Sequence, residues 1–167
     1  VGGDALTGLS HIDSLLAPWS VALIGASEDV TRIGGRPIAA MLAAGFKGDI
    51  WPVNPKRETV QGLRCYASVA DLPGAPDAAI IAVPARLVGD TGAGVDAKGC
   101  RAATRFSAGF AEMGEAGAAA QADLLWRAGA MRLLGPNTLG VYNVDIGYYG
   151  TFSSSLDTGW PRPGNIG

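Results

Sequence analysis

The sequence is short of charge, histidine and cysteine. Only 17% of its 167 residues are charged, the sum is −2, and no run of Lys or Arg occurs. That argues against a general nucleic-acid role or docking on an acidic membrane. The single histidine, His11, falls in a short amphipathic stretch, where a lone His is far more often solvated than catalytic. Cys65 and Cys100 have no metal-ligand neighbour and read as reduced intracellular thiols. Apolar runs do not exceed strand length, which supplies neither a signal peptide nor a spanning segment, so a cytoplasmic location is expected. No internal repeat is found. What the chain does have is apolar bulk: 48% of it is hydrophobic, enough at this length for one globular core.

The organising stretch is 20–35. Residues 21–24 form an apolar run that reads as a buried strand. It ends in Gly25-Ala26-Ser27, small residues that let the backbone turn tightly and approach a ligand. After a polar loop, Gly34 and Gly35 open a helix over 37–44. Upstream, Leu9, Ile12, Leu15 and Leu16 have helical spacing, stopped by Pro18. Downstream, 49–53 predicts a strand that Pro52 pushes toward the edge of a sheet. Residues 59–66 are a loop or short hairpin around Gln61-Gly62. Strands are expected at 78–83, 102–106 and 131–134, with helices at 87–98 and 117–128 between them. Arg105 is out of place in a buried strand. From 141 no helical period remains, and Pro161-Arg162-Pro163 reads as an interdomain linker. Strands alternating with helices give an α/β fold, an open, mostly parallel sheet covered on both faces.

Four of the strand ends carry small or polar loops: Gly25-Ala26-Ser27, Asn54-Pro55-Lys56, Val83-Pro84-Ala85 and Ser107-Ala108-Gly109. In such a sheet the carboxyl ends lie together and line a ligand crevice. The NAD fingerprint G-x-G-x-x-G fails, because its second and third glycines would be Ser27 and Val30. The acidic residue wanted after the second strand is replaced by Asn54-Pro55-Lys56. A lysine there favours an extra phosphate on the ribose, as in coenzyme A or NADP; on spacing alone, a solvated surface charge is nearly as good a reading.

Those loops, with Leu134-Gly135-Pro136-Asn137-Thr138-Leu139-Gly140, come in the order and spacing of one group. Over about residues 8–167 the chain resembles the Rossmann-like CoA-binding domain of NDP-forming acyl-CoA synthetases, the acetate–CoA ligase (ADP-forming) and succinyl-CoA synthetase superfamily. The resemblance implies a lead-in at 1–19, a CoA-binding domain at 20–145, and from 146 a linker with the cut-short start of a second domain. It implies that Gly25, Ala26, Ser27, Arg32 and Gly34 surround the CoA phosphates and that Lys56 pairs with one of them. Val83 and Pro84 border adenine and pantetheine, and Phe106, Ser107 and Ala108 lie along the pantetheine arm. Pro136, Asn137 and Thr138 form a phosphate loop opening a helix whose N-terminus faces the phosphoryl group; Thr138 stands where relatives often have Cys. Similar enzymes make acyl-CoA, NDP and phosphate from an acid, CoA and a nucleoside triphosphate, through an acyl phosphate and a phosphohistidine. His11 does not match that histidine, so no catalytic residue is assigned here. ATP and Mg²⁺ would bind elsewhere in the full-length protein, on a grasp domain or subunit. The chain alone is therefore expected to bind CoA without completing the reaction. The alternatives are a CoA-sensing regulatory module of a protein acetyltransferase and, third, an NADP oxidoreductase, disfavoured because no proton donor suits the crevice.

Overall fold

A computed structural model describes residues 10–84 and 94–164. Leu9, Ala85, the first part of the helix expected over 87–98, and the closing Asn165-Ile166-Gly167 lie outside the described residues. The chain opens with α1, His11–Leu16, started by a capping box. The Ser10 hydroxyl accepts from the Asp13 N–H at 3.1 Å, and the Asp13 carboxylate accepts from the Ser10 N–H at 3.0 Å.

Five strands then build one parallel sheet: β1 (Ser20–Ile24), β2 (Asp49–Val53), β5 (Ala78–Ile81), β6 (Ala102–Arg105) and β7 (Arg132–Leu134), in the order β2-β1-β5-β6-β7. The short hairpin β3 (Thr59–Val60) and β4 (Leu63–Arg64) stands beside it. The sheet is parallel because β1 and β5 are apolar runs buried on both faces and the segments between strands are long enough to cross over. β2 is the edge strand, which is where a proline such as Pro52 is tolerated.

Two apolar layers cover the sheet. On one face, Ile38 and Met41 of α2 (Arg36–Ala44) pack over Val21, Leu23 and Ile80. On the other, Leu124 of α3 (Glu115–Arg127) and Val95 of a helical turn at 94–97 pack over Ala22, Ile24, Ala79 and Ile81. At roughly 1.5–3 kcal/mol per fully buried large aliphatic side chain, these layers are the main favourable term in folding.

Two expectations need correction, and one strand stands despite its odd residue. The strand expected over 78–83 ends at Ile81, because Ala82, Val83 and Pro84 have already turned out to line a cleft. Arg105 does close β6, 1% exposed, and burial lowers its guanidinium to about 10. The loop 135–140 opens a strand, not a helix: β8 (Gly140–Asn143) pairs antiparallel with β9 (Tyr148–Thr151). The same hairpin reaches into the tract expected to be linker. Tyr148 and Tyr149 are buried against α2's side of the core, and Phe152 meets Phe106 edge-on at 4.7 Å. The two strands are joined by a 3-10 turn, Val144–Ile146, closed by Gly147 at φ +69.

Candidate functional site

β1 and β5 are neighbours in the sheet but not in sequence. The chain leaves β1 for one flank and β5 for the other, so their following loops diverge and open a crevice at the carboxyl ends. A cleft of about 540 Å³ lies there.

Its floor is the turn after β1. Gly25 has φ +84, and a Cβ on it would sit 2.7 Å from the Ala82 carbonyl oxygen, so only glycine fits. The loop then folds back on itself, with the Ser27 N–H donating to the Gly34 carbonyl at 3.1 Å. Asp29 braces its outer arc: the carboxylate accepts from the Thr31 hydroxyl at 2.6 Å and N–H at 2.9 Å, and meets Arg32 at 3.4 Å. The hydrogen bonds from Thr31, side chain first, hold the Asp29 carboxyl below its usual value. The loop runs into α2, whose cap Gly35 provides no side-chain acceptor; the Arg36 N–H donates to the Arg32 carbonyl at 2.9 Å, the Ala39 N–H donates to the Gly35 carbonyl at 3.1 Å, and Pro37 has no N–H to offer.

The opposite wall comes from Val83, Pro84, Ser107 and Ala108. The Ser107 hydroxyl donates to the Val83 carbonyl at 2.6 Å, locking the loops after β5 and β6 together. The Asn137 N–H donates to the Ser107 carbonyl at 3.0 Å, which hangs 135–140 from that wall.

Most of the residues singled out in the sequence meet at this cleft: Gly25, Ala26, Ser27, Arg32, Gly34, Val83, Pro84, Ser107 and Ala108 all line it. Lys56 does not; it lines a neighbouring depression with Arg57, Arg64 and Cys65. Phe106 is 5% exposed, with its ring in the core. Pro136, Asn137 and Thr138 sit behind Ser107 and do not line the cleft.

Arg57 and Gln61 were missed, and of the loop Asn54-Pro55-Lys56 expected at the crevice it is Asn54 that lines it. Arg57 lines both the cleft and the depression. Asn54 donates from Nδ2 to the Ala26 carbonyl at 2.8 Å while its Oδ1 accepts from the Lys56 N–H at 2.9 Å, joining the loops after β1 and β2. Gln61 donates to two carbonyls of the first loop. A lone Arg, Asn or Gln after an edge strand carries no sequence signal of such reach, except that a residue at a hairpin tip is free to point away from its own strands. The resulting lining is two arginines, two hydroxyls, an amide and backbone, with no carboxylate among the described residues. That set suits a polyanion with an uncharged arm.

A family model described as "CoA binding domain" matches residues 19–144. The chain is 41% identical over 161 residues to acetate–CoA ligase (ADP-forming) II of Archaeoglobus fulgidus, covering 95% of this chain and 24% of that one. It is 43% identical over 143 residues to a trans-feruloyl-CoA synthase from an unknown prokaryote, covering 84% and 20%. Among solved structures, the acetyl-coenzyme A synthetase 1 of Ca. Korarchaeum cryptofilum with phosphate and ADP superposes with a TM-score of 0.80 at 34% identity, over 84% of this chain and 30% of that one. The chain thus spans less than a third of each of these three. These relatives lend the acetyltransferase alternative no support. Because the family match runs through every strand of the parallel sheet and all the loops of the cleft, the chain belongs to the family of CoA-binding domains.

Proposed function

We propose that this chain is the CoA-binding part of an NDP-forming acyl-CoA synthetase, the class that joins a carboxylic acid to CoA at the expense of a nucleoside triphosphate. The observation that carries the reading is the cleft between β1 and β5, with a cationic rim at Arg32 and Arg57 and a neutral wall at Val83, Pro84, Ser107 and Ala108. The loop 25–34 and the start of α2 take the diphosphate, with Arg32 and Arg57 as its counter-charges. Lys56, fixed beside the cleft through Asn54, takes the 3′-phosphate. Val83 and Pro84 border adenine and pantetheine, and Ser107 and Ala108 pass the pantetheine arm toward Pro136, Asn137 and Thr138, where the phosphoryl chemistry is completed by other parts of the enzyme. Phe106 shapes that wall from behind. CoA, when bound, supplies the thiol that ends as the thioester; this chain's residues hold and orient it.

ATP with Mg²⁺ and the phosphohistidine belong to the remaining domains or a partner subunit. No described helix is long and apolar enough to cross a membrane. A cytoplasmic location matches where CoA and nucleoside triphosphates are available.

Calorimetric titration with CoA and with desulfo-CoA tests the reading. Both should bind with similar affinity, because none of the cleft contacts needs the thiol. No heat and no thermal shift at millimolar CoA would refute it.

A further inference from the structure

We propose that Gln61 is a positioning residue: from the tip of the β3–β4 hairpin it holds the loop 25–35 in the shape that receives the diphosphate of CoA. The inference rests on the CoA reading above and adds to it a residue that does not line the cleft.

The hairpin pairs Val60 with Leu63, so its turn is the two residues Gln61-Gly62. Their φ angles are +51 and +80. Positive φ at both positions marks the mirror-image turn whose twist suits a hairpin. Asn-Gly, Asp-Gly and Gly-Gly fill such turns best; a long side chain at the first position is disfavoured. A locally unfavourable residue is explained when its side chain does something the favoured ones cannot.

Here the side chain reaches across 26 to 34 residues of sequence. Gln61 Nε2 donates to the Ser27 carbonyl at 3.0 Å and to the Gly35 carbonyl at 2.9 Å. Its backbone N–H donates to the Glu28 carboxylate at 2.7 Å. Ser27 and Gly35 flank the two ends of the loop, so one amide closes its mouth. The Ser27 N–H on the Gly34 carbonyl also pins the mouth, and Asn54 Nδ2 holds the Ala26 carbonyl at its start, but the bonds along the outer arc, those of Asp29 with Thr31 and Arg32, are local and exposed. Local exposed bonds leave a loop free to sample other shapes, and a ligand must then order it on binding. The bridge from Gln61 removes that cost beforehand.

Asparagine and glycine both suit the turn better than glutamine, yet neither reaches the loop; asparagine is shorter by one carbon–carbon bond, about 1.5 Å. Gln61→Asn and Gln61→Gly therefore separate the turn from the bridge. The full chain and both variants are followed by thermal melting, by amide hydrogen exchange without ligand, and by calorimetry with CoA and dephospho-CoA. Both variants should keep or raise Tm. Exchange should quicken across 27–35 alone. Affinity should fall about three- to tenfold, the scale of one to two neutral hydrogen bonds, and equally for the two ligands because both carry the diphosphate. Variants that bind CoA like the parent, or exchange no faster in the loop, overturn the role of Gln61 alone. A parent chain that binds no CoA overturns the CoA reading, and with it the ligand named here, while the exchange rates still report on the bridge.

Discussion

Replacing Lys56 by alanine should separate CoA from dephospho-CoA. The Lys56 N–H is held by Asn54 Oδ1 at 2.9 Å, and Asn54 is anchored in turn on the Ala26 carbonyl at 2.8 Å. Alanine keeps that N–H, so the turn after β2 survives and only the ammonium is lost. A hydrogen bond to a charged group contributes about 1.5–3 kcal/mol. Lys56 is exposed, so solvent and salt place the loss near the lower end of that range, or about tenfold in affinity. Dephospho-CoA lacks the 3′-phosphate and should lose far less. Arg57→Ala is the built-in comparison. Arg57 lines the cleft itself, so its loss should weaken both ligands by a similar factor. Calorimetry at two ionic strengths reads both effects, and the selective loss in Lys56→Ala should shrink as salt rises. Equal losses for the two ligands in Lys56→Ala would show that Lys56 does not meet the 3′-phosphate. A selective loss appearing in Arg57→Ala instead would transfer the role to the arginine.

Two predictions concern stability. Gly25→Ala forces a residue with φ +84 to carry a Cβ 2.7 Å from the Ala82 carbonyl oxygen; the left-handed backbone alone costs about 1–2 kcal/mol, so Tm should drop by about 5 °C or more, and an unchanged melt would refute the geometry of this turn. Cys100 sits in the core, and burial, its largest influence, pushes its thiol up to about 12. Above pH 9 the unfolded thiol ionises while the folded one keeps its proton; the native state then binds more protons, so stability falls as pH rises toward 12, by up to about 1.4 kcal/mol per pH unit for this group. Urea unfolding of Cys100→Ala between pH 8 and 10 should show a shallower decline than the parent, and parallel declines would refute the assignment.

The sheet was legible because parallel strands covered on both faces must be continuous apolar runs, and 21–24 and 78–81 are just that. Glycine and proline marked where those runs stop. Arg105 was the odd residue in a strand the pattern nonetheless expected: β6 runs through Ala102 and Ala103, both fully buried, and ends on the buried guanidinium. The β8–β9 hairpin was illegible because its partner is α2 and the core beneath, a long-range arrangement to which Tyr and Gly alternation gives no pointer. At the site, residues at strand ends could be placed from topology alone, since parallel strands put their carboxyl ends on one edge. Arg57 and Gln61 could not, because their place depends on how far the segment after β2 folds back over the loop after β1. Phe106 illustrates the same limit. The resemblance set it along the pantetheine arm beside Ser107, whereas its ring packs in the core against Phe152.

The cleft's chemistry bears on how this chain would serve the proposed reaction. Among the described residues lining it, the only nucleophilic oxygens are the Ser27 and Ser107 hydroxyls. Ser107 spends its proton on the Val83 carbonyl, and Ser27 Oγ accepts from the Asp29 N–H at 3.1 Å. Among the described residues, neither hydroxyl is hydrogen-bonded to a side-chain base. A group poised for acid–base or covalent work needs such a partner within hydrogen-bond reach. To a ligand the cleft offers backbone, the cationic side chains of Arg32 and Arg57, and an interlocked set of loops. That division is economical: holding a long polyanion with a reactive end in one pose lowers the entropic part of the barrier without any group that titrates. It also explains the density of side-chain-to-backbone bonds around the cleft. Asn54, Gln61 and Ser107 each hold a neighbouring loop by its carbonyls, so the shape that receives the ligand is built before the ligand arrives.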